Sequence, residues 1–298
     1  MTGALHEDAP AKLNLCLFLG ATRPSDGRHE LVTVFQPVSV TDRVTLEPLP
    51  LGASADEIVC PGVPGAPQDN LAAAALRAFR ERTGWARPPV RLAIEKRIPV
   101  AAGMAGGSAD AGAALRLAAR AAGVSDDGLL HDIAASLGAD VPAQVRPARY
   151  LATGAGEVLR PLPAPGRYGV LVLPADGGLS TADVFRKADE LRLARPATEM
   201  EDRLRAVESH GADLPDELIV NDLEPAALAL CPAIGDALDA LRRAGADRAL
   251  VCGSGPTVIG LFRDVEAARG SMVALAGRRP RAVLAEPWGG GAPGEAAG

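Results

Sequence analysis

Residues 99–123 read PVAAGMAGGSADAGAALRLAARAAG, and the fold turns on how this stretch is parsed. Gly103, Gly106 and Gly107 crowd its first half; alanine and leucine fill its second. Glycine lets a backbone turn sharply and bring its N–H groups close to a ligand, and alanine is the strongest helix former. The stretch therefore predicts a tight turn running straight into a helix. The first N–H groups of a helix lack partners within it, and the helix dipole is positive at that end, so the junction suits a phosphate. It matches neither the GxxxxGK[ST] loop nor the GxGxxG fingerprint. A plain strand-to-helix connection, with Ser108 as its N-cap, is the alternative reading of the same residues.

Upstream, residues 90–96 (VRLAIEK) set Val90, Leu92 and Ile94 against Arg91, Ala93 and Glu95, the alternation of a half-buried strand. Asp69-Asn70 precede LAAAALRAFRERTG, a helix closed by Gly84, and the Pro/Gly run at 61–67 is a loop. Residues 12–20 (KLNLCLFLG) form an apolar run of strand length, and LVTVFQPVSV and DRVTLEP within 31–47 predict further strands. Downstream, a second helix is predicted at about 126–137, with Ser125 as N-cap, Leu129, Leu130, Ile133 and Leu137 as its stripe, and Gly138 as its stop. Short strands follow near 149–153 and 168–173. Thr198 and Glu201 have capping-box spacing at the head of a charged segment. PAIGDALDALRRAG reads as a helix, RALVCGSGPTVIGLF as strand, glycine turn and strand, DVEAARGSMVALAG as a helix and RAVLAEP as a last strand. Strands and helices mix without a regular βαβ alternation, so the class is α+β rather than a doubly wound sheet.

A chain of 298 residues suits two domains of roughly 100–200 residues each. With 48% apolar residues and a net charge of −6, it is globular and has no basic face for nucleic acid or an anionic membrane. No run reaches the roughly 18 apolar residues of a membrane span. The first ten residues lack the pattern of a secretory signal, so a cytoplasmic location is expected. Cys16, Cys60, Cys231 and Cys252 are far apart with no CxxC pair, which argues for reduced, buried thiols rather than zinc or disulfides. Lysine is scarce: Lys12, Lys96 and Lys187 stand against 28 arginines, a bias typical of a GC-rich gene.

Asp140 follows the predicted second helix, between Ala139 and Val141-Pro142, so its carboxylate is expected to be partly buried and to need a cation or several hydrogen bonds. Lys12, opening an apolar strand, is a candidate partner, although spacing alone does not bring the two together. The second glycine turn, Gly253-Ser254-Gly255-Pro256-Thr257, reads either as a hairpin corner or as a backbone wall against a substrate.

Taken together, Pro99 to Ala111 and Gly253 to Thr257 resemble motifs of the GHMP kinase superfamily, and Pro10-Ala11-Lys12-Leu13-Asn14-Leu15 with Gly27-Arg28-His29-Glu30-Leu31 resembles the first motif of one family within it. Leu137 to Pro142, Gly178 to Thr181 and Asn221 to Glu224 extend the resemblance to its cytidine-diphosphate-methylerythritol kinase family. The matches run in order from about residue 9 to 262. The resemblance implies a two-domain α+β GHMP kinase fold with the active site in the interdomain cleft. An N-terminal ATP-binding domain would span 1–156 and a C-terminal domain 157–287, and the Gly/Ala/Pro tail at 288–298 is expected to be disordered. The implied reaction moves the γ-phosphoryl of ATP to the 2-hydroxyl of a cytidine-diphosphate sugar alcohol, a step of the non-mevalonate route to isoprenoids. An alternative is a GHMP-type kinase with a shifted acceptor alcohol. A catalytically silent binding protein fits less well, because Lys12, Asp140 and the phosphate loop occur together.

By the same resemblance, Asp140 would be the catalytic base and Lys12 the ammonium beside it. The nucleotide would be held by Asn70, Leu71, Lys96, Pro99, Gly103, Met104, Ala105, Gly106, Gly107, Ser108 and Ala109. The cytidylated substrate would meet Asn14, Arg28, His29, Thr181 and Phe185. ATP is the implied co-substrate, with Mg²⁺ accompanying it, within reach of Ser108 but without a protein carboxylate as metal ligand. The partners implied are small molecules only, with no nucleic acid and no membrane, and the chain is expected as a monomer or weak homodimer. Two departures stand out. The family usually has tyrosine where this chain has Arg28, and Ala101, Ala102 and Ala105 occupy loop positions often held by glycine. Asp110, where the family accepts Asp or Asn, is not expected to be the base. Two of the three lysines, Lys12 and Lys96, fall at motif positions, where a compact ammonium is not replaceable by a guanidinium.

Overall fold

A computed structural model describes residues 3–289 apart from 51, 87, 101 and 175–177. The chain opens with two long strands, β1 (Leu5–Thr22) and β2 (His29–Pro48), which pair with each other. The sequence pattern suggests separate strands within 31–47; the backbone instead runs through them as one continuous strand. Both strands pass from one compact unit into another. One unit comprises Met1–Lys12 and Val40–Arg146, the other Leu13–Ser39 and Pro147–Gly298.

In the first unit, the later half of β2 pairs antiparallel with β4 (Val90–Glu95), and β3 (Glu57–Val59) pairs parallel with β4. Val90, Leu92 and Ile94 are buried, as the alternation predicts. Helix α1 (Leu71–Thr83) begins where the Asn70 side chain accepts from the Ala72 N–H and ends at Gly84, whose φ of 64° is left-handed. It packs on α2 (Gly106–Ala122), whose alanines make the approach close. Helix α3 (Asp127–Leu137) is capped by Asp126, which accepts from the Leu129 N–H, and not by Ser125. Either residue has a suitable side chain; one position decided which. The one-turn helix α4 (Pro142–Val145) packs against α2.

In the second unit, the early half of β2 pairs with β5 (Tyr150–Thr153), and β5 with β6 (Val158–Pro161). A second sheet has the order β10–β7–β9–β8, formed by β7 (Gly169–Leu173), β8 (Arg248–Val251), β9 (Val258–Phe262) and β10 (Val283–Ala285), all antiparallel. Helices α5 (Thr181–Glu190), α6 (Ala197–His210), α7 (Glu224–Leu230), α8 (Ala233–Arg243) and α9 (Val265–Leu275) belong to this unit. α8 and α9 cover the second sheet around a core that includes Leu171, Leu238, Leu241 and Phe262. The predicted capping box does not form. Helix α6 starts at Ala197 behind Pro196, whose fixed φ presets the first turn, so Thr198 already lies inside it.

The α+β class thus stands. All four cysteines are free thiols; Cys16 and Cys252 are buried, whereas Cys60 and Cys231 are only half-buried. At the C-terminal end, Trp288 donates its N–H to the Pro37 carbonyl at 2.9 Å, and the rest of the expected tail, 290–298, lies outside the described residues.

Candidate active site

The turn before α2 lies in the first unit and forms one wall of a cavity of about 440 Å³. Pro99, Gly103, Met104, Ala105, Gly106 and Gly107 line it, and Asn70, Leu71 and Lys96 face them. Ser108 and Ala109 stand in the first turn of α2, Ser108 half-buried and Ala109 fully buried. The helix has no capping side chain: its N-cap is Ala105, and the first amide bonded back to the cap is that of Ala109. Ser108 is therefore not the cap. The N–H groups ahead of Ala109 receive no side-chain oxygen from the cap, which is the arrangement that favours an external anion.

The glycines serve the loop differently from the expectation. Gly106 and Gly107 have helical backbone, and the left-handed residues are Gly103 (φ 68°) and Ala105 (φ 54°). A Cβ on Gly106 would lie 3.1 Å from Ile98 and 3.3 Å from Lys96 Nζ, so close approach rather than torsion requires glycine there. Ala105 holds a conformation that costs an L-residue roughly 1–2 kcal/mol. Ala105→Gly should therefore raise the melting temperature slightly, by about 1–3 °C, after the larger entropy of unfolded glycine is set against the relieved strain. Thermal denaturation checks it; an unchanged or lower melting temperature would show that the αL turn carries no strain.

Lys12 and Asp140 meet in this unit. Lys12 Nζ lies 3.2 Å from Asp140 Oδ1, with the lysine side chain 7% exposed and the aspartate 38%. The lysine is fixed at its backbone too: its N–H donates to the Met104 carbonyl at 3.1 Å, tying β1 to the glycine turn. The aspartate is set by the end of α3 at Gly138 and the start of α4 at Pro142. In such a pair the carboxylate can accept a proton and the buried ammonium can neutralise negative charge, beside a turn whose first helix amides lack a capping oxygen.

Lys96 sits between two carboxylates, 2.5 Å from Asp42 and 2.7 Å from Asp110. Asp42 is fully buried, and its other oxygen accepts from the N–H groups of Arg97 and Ile98 at 2.6 and 2.8 Å. Burial alone would lower the Lys96 pKa, but the two carboxylates outweigh it and raise it. Asp110 bonds to Lys96 through Oδ2 and lies beside Asp42, and its Oδ1 is buried. Burial pushes its carboxyl up to about 7, against the pull of Lys96 and with a further push from Asp42. Asp42 was not singled out in the sequence. Its signal is parity: Val38, Val40, Val44 and Leu46 are buried along β2, and an aspartate at 42 falls on the same face.

The substrate-side candidates lie in the second unit. His29 stacks on Phe185 with ring centroids 5.4 Å apart; its Nδ1 lies 2.9 Å from the Gly20 carbonyl and its Nε2 3.2 Å from Asp189. Thr181 Oγ1 is 3.0 Å from Ser254 Oγ, which joins the head of α5 to the second glycine turn. Asn221 positions that turn by donating to the carbonyls of Val251 and Gly253 at 2.8 and 2.7 Å. Arg28 is exposed and reaches the Ala155 carbonyl at 3.4 Å. Asn14 is buried and donates to Thr33 Oγ1 at 2.8 Å. Sequence reasoning did not identify Asp189 and named Ser254 only as part of the second glycine turn; both lie far along the chain from their partners.

Among the described residues no group of three or more His, Cys, Asp or Glu side chains is placed to hold a metal ion. The carboxylate pair beside the loop is already bridged by Lys96.

The GHMP kinases N-terminal domain model matches residues 70–147 and the GHMP kinases C-terminal model residues 200–274. A 4-diphosphocytidyl-2-C-methyl-D-erythritol kinase of Streptomyces avermitilis is 45% identical over 87% of this chain and 88% of its own. One of Anaeromyxobacter dehalogenans is 42% identical over 91% and 84%. A crystal structure of 4-(cytidine 5'-diphospho)-2C-methyl-D-erythritol kinase superposes with a TM-score of 0.79 and 32% identity, covering 96% of this chain and all of that one. Homoserine kinase from Cytophaga hutchinsonii, at 17% identity and a TM-score of 0.71, shares the fold.

Proposed function

Because the chain belongs to the 4-diphosphocytidyl-2-C-methyl-D-erythritol kinase family of the GHMP kinases, we propose that Lys12 and Asp140 carry its phosphoryl transfer. The protein is an ATP-dependent kinase that phosphorylates a cytidine-diphosphate sugar alcohol in the methylerythritol phosphate route to isoprenoid precursors. The observation that carries the residue assignment is the 3.2 Å pair of Lys12 Nζ and Asp140 Oδ1 beside the glycine turn.

In this reading the acceptor is the 2-hydroxyl of the methylerythritol moiety. Asp140 receives its proton as the oxygen bonds to the γ-phosphorus and the bond to the ADP oxygen breaks. The transition state is loose, so the proton is released late and a carboxylate is base enough. Lys12 orients the carboxylate and offsets negative charge gathering on the transferring oxygens. The N–H groups at the head of α2 hold the phosphates, and Lys12 is locked to the same turn through Met104, so donor and base keep a fixed spacing. Mg²⁺ accompanying ATP would supply charge neutralisation on the phosphates, and Ser108 is the residue of this loop that would hold it. His29 and Phe185 form the aromatic platform for cytosine, with Thr181, Asn14 and Arg28 completing the contacts.

Asp110 gives this site a pH dependence. Above about pH 7 its carboxyl loses the proton, adding negative charge to the cavity assigned to ATP. The KM for ATP should rise as pH climbs through 7, and Asp110→Asn should flatten that rise. Steady-state kinetics across pH 6–9 tests it, and an identical profile in the variant would remove Asp110 from the account.

A second reading, a kinase with a shifted acceptor, is favoured by one observation: the exposed Arg28 at the position where the family usually has tyrosine. Acceptor-dependent ADP release with the cytidylated and the uncytidylated alcohol separates the two. Turnover of only the latter would sink the first. Among the described residues no helix is long and apolar enough to cross a membrane. A cytoplasmic enzyme acting as a monomer or weak homodimer completes the proposal, and sedimentation measures the second part.

A further inference from the structure

The second unit contains a cavity of about 290 Å³ that the kinase chemistry does not use. Arg149, Tyr168 and Arg248 line it together with an apolar wall that includes Leu15, Ile219 and Phe262. Arg149 is 4% exposed. Its Nη1 donates to Gln36 Oε1 at 2.9 Å and its Nη2 to the Gly211 carbonyl at 3.2 Å, both neutral acceptors. Its Nε is buried with no hydrogen-bond partner, and among the described residues no carboxylate lies within 4.0 Å of the guanidinium.

That is unlike the chain's other enclosed arginines. Arg116 has Glu7 at 3.1 Å, and Arg195 has Asp222 at 2.5 Å. A guanidinium does not shed its proton in a protein, so burial leaves Arg149 as a charge whose counter-charge is missing, an unfavourable arrangement. Burial does depress its pKa below the ordinary arginine value, with Tyr168 and Asp213 only partly compensating. Beside it, the Tyr168 hydroxyl is also buried and interacts with the Arg149 guanidinium, which can only donate to it, so the hydroxyl's own proton has no acceptor there. The Arg248 Nε is buried without a hydrogen-bond partner while its Nη2 pairs with Asp216 at 2.8 Å. A cation without a counter-charge and a hydroxyl proton without an acceptor, both on residues that line one cavity, match the acceptors of a single oxyanion.

We infer that this cavity binds a small oxyanion, a carboxylate or phosphate borne on a short apolar body, with Arg149 as its counter-charge and the Tyr168 hydroxyl as a second donor. The apolar residues Leu15, Ile219 and Phe262 face the body of the ligand. The volume exceeds that of a bare anion, which is why an organic carrier is specified.

Calorimetric titration of the full chain, saturated with a non-hydrolysable ATP analogue so that the glycine turn is already filled, tests this with inorganic phosphate and with butyrate as probes. Uptake of either probe is expected to be lost in Arg149→Gln and weakened several-fold in Tyr168→Phe. Thermal denaturation gives a second readout. At a probe concentration tenfold above its Kd, the wild type should gain about 3 °C. Arg149→Gln should gain nothing, and without probe it should melt no lower than the wild type, since it removes an unpaired buried charge. Phosphate binding identifies a phosphorylated ligand and butyrate binding a carboxylated one. Binding of neither, or binding that survives Arg149→Gln and Tyr168→Phe unchanged, overturns the inference.

Discussion

Asp140→Asn is expected to lower kcat by about 10²–10⁴-fold, the usual worth of a positioned general base, while the affinity for ATP stays within a factor of two or so. The amide is nearly the same size and can remain near Lys12, so the cavity and the glycine turn should be undisturbed. What disappears is the acceptor for the hydroxyl proton. Binding of an ATP analogue by calorimetry and single-turnover phosphoryl transfer separate the two properties. A variant with wild-type turnover would take the base role away from Asp140. A variant that has lost ATP binding would mean the residue supports the nucleotide site instead. Lys12→Met should also slow the reaction, but with a loss of stability as well, because it strips a buried ammonium from its carboxylate.

The second large effect concerns the scaffold. A Cβ placed on Gly112, inside α2, would lie 2.3 Å from the carbonyl oxygen of Gln144 and 2.6 Å from its carbon. Those are backbone atoms of α4, which cannot rotate away like a side chain. Gly112→Ala gains about 1 kcal/mol of helix propensity but must push α4 off α2, and overpacking of this kind typically costs 1–3 kcal/mol or more. Contact this short lies at the severe end, so the melting temperature should fall by about 5–10 °C. Arg116 adds to the cost, because its Nη1 donates to the same Gln144 carbonyl at 2.5 Å. Since α4 begins two residues after Asp140, kcat should fall too. Differential scanning calorimetry beside kinetics distinguishes this from Asp140→Asn, which should leave the melting temperature nearly intact. A Gly112→Ala protein that melts like the wild type would mean the α2–α4 contact yields easily.

Local features were legible in the sequence wherever the deciding interaction was itself local. Helix α1 was fixed by Asn70 at one end and Gly84 at the other; β4 was fixed by alternation; the turn before α2 was fixed by its glycines. Boundaries that depended on a choice between neighbours were less so, as with Asp126 over Ser125, or Pro196 starting α6 before Thr198 could cap it. Pairings at a distance were the least accessible. Asp42 and Lys96 are 54 residues apart in the chain, and only β2–β4 register, with Arg43 opposite Glu95, brings them together. The meeting of Lys12 and Asp140 was suggested by resemblance and by chemistry, not by spacing. Arg149 gave no sign of its isolation, because a missing partner leaves no mark on the sequence.

The route of β1 and β2 has a consequence for inheritance. The chain crosses between its two units at residues 12–13, 39–40 and 146–147, and the first two crossings fall inside unbroken strands. No single cut of the gene separates the two units: a cut after codon 146 keeps the first unit whole but carries residues 13–39 of the second away with it. Recombination that swapped the half before codon 147 would import a foreign β1 and β2 into the recipient's second unit, Leu17 and its ladder to Val220 and Asp222 included. The two units must therefore drift together, and a chimera assembled from relatives will work only if residues 13–39 travel with the second unit rather than with the first.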